Sequence, residues 1–296
     1  MRRPEADLML LGTVTLWAFN FTVSKYILDQ GFQPLAYASV RYACAALIFI
    51  AITLVWEGSL RTDRALLPLM LVCVALLFAN QLSFVYALKF TTATTVALLF
   101  GTLPIFTALL ARGSGVEQLS VRFWAAALLS FAGVAFVAAG SGGSLSANLK
   151  GDALAISGAV TWAGYSVAIA PLMRRYSPFR LSAVFLGAVT IPLALVGSKQ
   201  LAHQSFDFGA LVWLGFVFAV LGPLVTTNFL WFTAIDRVGP SRASLFANLQ
   251  PFLAAIIALL LLSEPITTLE VVGGLAIGGG IVLASRRGPA PEPPAE

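Results

Sequence analysis

The chain has 296 residues, of which 59% are apolar and only 10% charged. A soluble globular domain carries about 25% charged residues and at most about half apolar ones, and it could not hide this much apolar surface from water. The net charge of +5 would fit nucleic acid in a soluble protein, but the basic residues here stand in short loops between apolar runs, where they report topology.

Apolar runs of spanning length occur, in chain order, at 8–28, 35–56, 66–88, 94–112, 121–140, 152–172, 181–198, 209–235, 243–262 and 271–285. Each fits the ~20 residues that cross a hydrocarbon core of about 30 Å. The first run follows Met1-Arg2-Arg3 without a small-residue cleavage site, so it reads as a retained helix and not as a signal peptide. Turn-forming breaks such as Asp29-Gln30-Gly31, Gly113-Ser114-Gly115 and Gly239-Pro240 separate the runs. Residues 141–150 read as a linker and 288–296 as a disordered Pro-rich tail. Cys44 and Cys73 fall inside apolar runs, where cysteine behaves as a small hydrophobe, and no disulfide is expected.

The basic residues sort by side. With the N-terminus inside, the inner segments carry Arg2, Arg3, Arg61, Arg64, Arg112, Arg122, Arg174, Arg175, Arg180, Arg237, Arg242, Arg286 and Arg287, whereas the outer segments carry only Lys89, Lys150 and Lys199. Thirteen against three places both termini in the cytoplasm.

The chain also repeats itself. An offset of 147 residues pairs Pro104 with Pro251, Glu117 with Glu264 and Gly133 with Gly280; an offset of 145 pairs Asp7 with Asp152 and Trp17 with Trp162. Five spans per copy is an odd number, so the second copy enters the membrane upside down. The charges agree: the loop after the fourth span holds Arg112 and Arg122, while its mate after the ninth holds Glu264 and Glu270 and no Lys or Arg. The expected fold is an all-α integral membrane protein of ten transmembrane helices, as two inverted five-helix repeats over 1–140 and 151–287. Inverted repeats are a hallmark of secondary transporters, whose sites lie near the bilayer midplane at the repeat interface.

Several segments then carry a resemblance. They are Leu11-Gly12-Thr13-Val14-Thr15-Leu16-Trp17-Ala18, Pro34 with Arg41, Ser241-Arg242-Ala243-Ser244-Leu245 before Pro251, Leu262-Ser263-Glu264-Pro265-Ile266-Thr267, and Gly278-Gly279-Gly280. In order and spacing they resemble paired EamA domains of the drug/metabolite transporter superfamily, over about residues 7–286. One departure is Val116 before Glu117, where a small residue is usual and Ser263 precedes Glu264. The resemblance implies a multi-pass permease, with exporters of amino acids and other metabolites among its relatives.

Polar residues inside spans are costly and are candidates for function. Trp17, Pro104, Trp162 and Pro251 sit near the centres of their spans, and each proline is expected to kink its helix and free a carbonyl, on Phe100 and Ala247. Asn20 and Tyr165 share the helix faces of the two tryptophans. Asn80 and Gln81 correspond to Thr227 and Asn228, while Asn248 and Gln250 flank the second kink. Interhelical hydrogen bonding and pocket lining are both open to these amides. Arg41 lies deep enough to be expensive yet able to snorkel, and it either holds a substrate carboxylate or caps helix carbonyls. The acids Glu117 and Glu264 stand at helix ends, each expected to favour the N-terminus of the helix that follows.

No Asp or Glu falls near the middle of a span, and the one histidine, His203, is in an outer loop, so neither a membrane-embedded enzyme nor a metal or cofactor site is expected. The expected function is a secondary transporter or facilitator moving a small organic metabolite, an amino acid or related compound, outward across the cytoplasmic membrane. A non-transporting sensor or channel and an uptake permease for a nucleobase, sugar or vitamin are the alternatives. The expected partners are that solute and the lipid bilayer, with no nucleic acid; a driving proton gradient and a monomeric or homodimeric state are left open.

Overall fold

A computed structural model describes residues 3–140, 148–262 and 266–285, and every regular element among them is helical. Glu264 and the Pro-rich tail lie outside the described residues, as does 141–147 of the linker. The helices are α1 (Arg3–Asp29), α2 (Pro34–Glu57), α3 (Leu67–Phe90), α4 (Ala93–Leu99), α5 (Leu103–Gly113), α6 (Val121–Gly140), α7 (Leu149–Met173), α8 (Pro178–Val196), α9 (Ser198–Ala202), α10 (Ala210–Val220), α11 (Thr227–Val238), α12 (Pro240–Ala247), α13 (Gln250–Leu262) and α14 (Thr268–Ser285).

Nine of the described helical stretches are long and apolar enough to cross a membrane. Two of these contain a break: a 3-10 turn, Phe100–Thr102, joins α4 to α5, and a π-helical turn, Leu221–Thr226, joins α10 to α11. The ninth expected span, 243–262, is the exception to the count of ten. It is divided between α12 and α13 at Asn248 and Leu249, and neither part alone is long enough to cross.

Several helix ends are satisfied by side chains. At the start of α2, the N–H groups of Gln33 and Leu35 donate to Gln204 Oε1 and Gln200 Oε1, both at 2.7 Å. Asn148 caps α7, accepting from Lys150 and Gly151, and Ser177 caps α8, accepting from Arg180. Thr267 and Glu270 form a reciprocal capping box on α14, which leaves Glu270 buried.

The packing follows the repeat. Helix α2 lies along its counterpart α8, and α6 along its counterpart α14. Helix α3 packs on α7 across the two halves, and the repeat-related pair, α1 with α10 and α11, packs likewise. The cross-links between loops also respect the charge count. Arg180 pairs with Glu57 at 2.9 Å and Arg242 with Asp7 at 2.7 Å, joining segments expected on one side. Lys25 donates to the Leu88 carbonyl at 3.0 Å on the other. These are the basic end and the opposite end of the bundle.

Between α6 and α14 the two backbones touch. A Cβ on Gly133 would stand 2.6 Å from the Gly273 carbonyl oxygen, and one on Gly280 would stand 2.7 Å from that of Ala126. Lipid tails are as apolar as leucine, so close backbone approach through small residues is what holds such a pair together. Gly133→Leu and Gly280→Leu should each cost about 1–3 kcal/mol or more through overpacking. Thermal unfolding in detergent checks this: both variants lose stability, while Gly278→Leu, whose Cβ meets nothing within 4 Å, does not.

Candidate functional site

The three backbone breaks meet at the middle of the bundle. Pro104 and Pro251 do not kink continuous helices as expected; each stands in the first turn of the second segment, α5 or α13. There a missing N–H costs nothing, because first-turn N–H groups have no partner within the helix. The Phe100 carbonyl is not free either, since it accepts the Leu103 N–H. The third break, the π turn, carries Pro223, and Thr226 Oγ1 donates to the Leu221 carbonyl five residues back at 2.8 Å. Single π turns inside helices often accompany functional sites.

Around these breaks lies a cavity of about 80 Å³, and since one water needs roughly 10–15 Å³ on this measure, several waters or one small solute fit. Both halves build the wall. Trp17, Asn20 and Phe21 come from α1, Arg41 and Tyr42 from α2, and Asn80, Gln81 and Phe84 from α3. Across from them stand Trp162 of α7, Pro223 and Leu224 of the π turn, Thr227 and Asn228 of α11, and Gln250 of α13.

Three indoles cluster here: Trp17 and Trp162 line the cavity, and Trp231 is buried behind them. Trp17 and Trp231 have ring centroids 4.8 Å apart, and Trp17 meets Trp162 edge-on at 5.4 Å. The two repeat-related tryptophans differ in one respect. Trp17 Nε1 donates to Thr227 Oγ1 at 3.1 Å, and that hydroxyl donates on to the Pro223 carbonyl at 2.7 Å. The repeat mate of Thr227 is Asn80, whose amide donates to the Gly158 carbonyl at 2.9 Å. Trp162 Nε1 and Gln250 Oε1 are left buried without a partner at the cavity, as are Trp231 Nε1 and Asn248 Oδ1 behind it, although a buried polar group normally has one.

Arg41 does not snorkel to the surface. It is 3% exposed and turned inward, donating to Gln81 Oε1 at 3.0 Å, Tyr37 Oη at 3.3 Å and Asn20 Oδ1 at 3.5 Å. The rings of Tyr37, Tyr42 and Phe84 lie 5.1, 5.9 and 5.8 Å from its guanidinium carbon.

Other expected site residues stand behind the wall. Tyr165 is buried and packs on Trp162 at 5.5 Å. Asn248 is buried at the helix break and donates to Ser130 Oγ at 3.0 Å. Pro104 and Pro251 are buried supports of the turns. Sequence reasoning missed Trp231 and the apolar wall of Phe21, Phe84, Phe100 and Leu103; it also missed the π turn, although Gly222-Pro223 inside a span was a visible signal. No group of three or more His, Cys, Asp or Glu that could hold a metal ion assembles among the described residues.

At the basic end, the corner between α11 and α12 is clamped. Arg242 Nη2 reaches both oxygens of Asp7, at 2.7 and 2.9 Å, and the Ser241 N–H donates to Glu117 Oε2 at 3.2 Å. Glu117 therefore caps α12 across the interface, not the helix that follows it. The corner itself needs Gly239, which has φ +80° and whose hydrogen faces the Glu117 carboxylate where a Cβ would collide. Burial raises the Glu117 carboxyl above its ordinary 4.5, and the Ser241 bond pulls it partway back.

A helical multi-pass membrane protein with a polar, aromatic cavity between two like halves has the architecture of a solute transporter. The EamA-like transporter family matches residues 5–139 and again 149–286, so the chain belongs to that family. It is similar to "Uncharacterized transporter YyaM" of Bacillus subtilis, 28% identical over 96% of this chain and 95% of that one. It is also 28% identical to a "Probable terminal-alkyne amino-acid exporter" of Streptantibioticus cattleyicolor, over 97% of this chain and 95% of that one. A solved crystal structure shares the fold, with a TM-score of 0.78 and 19% identity over 96% of this chain and 98% of that one.

Two stability measurements check the hydrogen bonding described above. Thr227→Val orphans the Trp17 N–H and should cost about 1–3 kcal/mol, read as a lower thermal midpoint; an unchanged midpoint contradicts the bond. The folded Glu117 carboxyl keeps its proton to higher pH than the unfolded one, so stability falls as pH rises from 4.5 through the folded value. Glu117→Gln keeps an oxygen for the Ser241 N–H and removes that loss. It should be more stable than the parent at pH 8, with the difference closing below pH 4.5.

Proposed function

We propose that this transporter moves a small organic metabolite by alternating access, an amino acid or related compound carried outward across the cytoplasmic membrane. The observation that carries the reading is the Trp162 N–H and Gln250 carbonyl, both unpartnered at a small cavity walled by both halves. A solute seated there recovers two hydrogen bonds that the empty protein forgoes. The amino-acid exporter among the similar proteins points the same way.

In this reading residues 1–140 and 151–287 are the two bodies that rock about the cavity, and the basic end faces the cytoplasm. The gates at the two ends differ in chemistry. The Asp7–Arg242 clamp closes the basic end, whereas the repeat mates of those residues are Asp152 and the uncharged Thr95. Opening inward breaks an ion pair; opening outward breaks apolar and neutral contacts. That asymmetry gives the two access states different energies with one scaffold.

Counterflow in proteoliposomes, across a panel of amino acids, nucleobases and sugars and with and without a pH gradient, tests the proposal. At least one amino acid should accumulate, and Trp162→Phe or Gln250→Leu should lower its counterflow by roughly an order of magnitude. Accumulation of no solute in the panel, or full counterflow in both variants, overturns it.

A further inference from the structure

A solute for this cavity is constrained by its charge. Among the lining residues Arg41 is the only one with a charged side chain; no Asp, Glu, Lys or His joins it. Among the described residues no carboxylate pairs with Arg41, and its three hydrogen-bond acceptors are neutral oxygens of Asn20, Tyr37 and Gln81. A guanidinium has five N–H bonds. Three are engaged, by Nη1 and Nη2, which leaves two, and Nε is the one nitrogen of the three without a partner.

An unpaired charge at this depth is expensive, and ring faces and neutral oxygens offset only part of the cost. The repeat offers no structural reason for it. Counting from Pro34 and Pro178, which open the matched helices α2 and α8, the residue seven positions on is Arg41 in one half and Phe185 in the other. The second half thus packs the equivalent position with an apolar ring. A charge that the repeat does not share, with N–H bonds to spare at the wall of the cavity, points to what the cavity receives.

We infer that the solute carries a carboxylate that Arg41 receives through its free N–H bonds, with an apolar or aromatic body against the indoles of Trp17 and Trp162. Organic cations without a carboxylate are excluded, because no acidic group in the wall answers their charge. The guanidinium fork matches the two oxygens of a carboxylate, and the indole cluster offers flat apolar surface beside it. This inference rests on the transport reading for its biological sense, but binding tests it alone.

The test titrates the full-length protein in lipid nanodiscs with three probes of one shape: phenylalanine, 3-phenylpropionate and phenylethylamine. Intrinsic tryptophan fluorescence is the readout, since three indoles cluster at the site. Both carboxylates should bind, and phenylethylamine should bind at least about tenfold more weakly. Arg41→Gln should lose about tenfold or more in carboxylate affinity, with Arg41→Lys recovering part of it. The charge series on the parent protein stands even if a variant fails to fold. Phenylethylamine binding as tightly as 3-phenylpropionate, no binding of either carboxylate, or an unchanged affinity in folded Arg41→Gln overturns the inference. Counterflow separates it from the transport reading. Carboxylate binding without counterflow of any solute contradicts transport alone, whereas counterflow of phenylethylamine contradicts the carboxylate inference alone.

Discussion

Hydrocarbon offers no hydrogen bonds, so a membrane helix that breaks must have its main-chain groups satisfied by protein or by a water-filled space. That constraint decides where this structure can be irregular. The three mid-helix breaks among the described residues, at Phe100–Thr102, at Leu221–Thr226 and at Asn248 with Leu249, each contribute or adjoin a residue of the cavity wall. Pro104 and Pro251 stand where a lost N–H is harmless, and at the π turn around Pro223 the side chains of Thr226 and Thr227 bond main-chain carbonyls. The cavity is the price of none of these separately; it is where all three are tolerated together.

Symmetry accounts for the scaffold, and its violations account for the chemistry. Gly133 and Gly280 keep the repeat because both hold the same backbone contact between α6 and α14. Trp17 and Trp162 are matched in sequence, yet one indole is tied to Thr227 and the other is left open at the cavity. Arg41 faces neutral oxygens where its counterpart is an aromatic ring, and the Asp7–Arg242 clamp has no charged equivalent. In the proposed mechanism two like halves supply the two access states, and unlike residues at matched positions bias them.

The fold was legible because lipid forces a coarse signal. Apolar runs, the skewed arginines and the register of Pro104 with Pro251 need no tertiary knowledge. What was not legible depended on partners far away in the chain. Whether proline kinks a helix or starts a new one depends on what satisfies the freed groups, so the ninth span divided against expectation. Arg41 was expected to be able to snorkel, but Gln81 and Tyr37 hold it inside, a choice that periodicity cannot reveal. Glu117 was assigned to its own helix and caps α12 instead, because only the folded chain brings Ser241 to it. Trp231 joins the indole cluster, and its repeat mate Phe84 is likewise aromatic and lines the cavity.

The central claim is that one cavity between the halves is reached from each side in turn. Leu103 lies on its wall and is buried. Both native cysteines are free, so Cys44→Ala with Cys73→Ala gives a clean background for Leu103→Cys. Labelling that cysteine in sealed vesicles with a membrane-impermeant maleimide, applied outside in one set and trapped inside in another, measures access directly. The account predicts reaction from both sides, slowed from both by a solute that binds. Reaction from one side only, with or without solute, would contradict it.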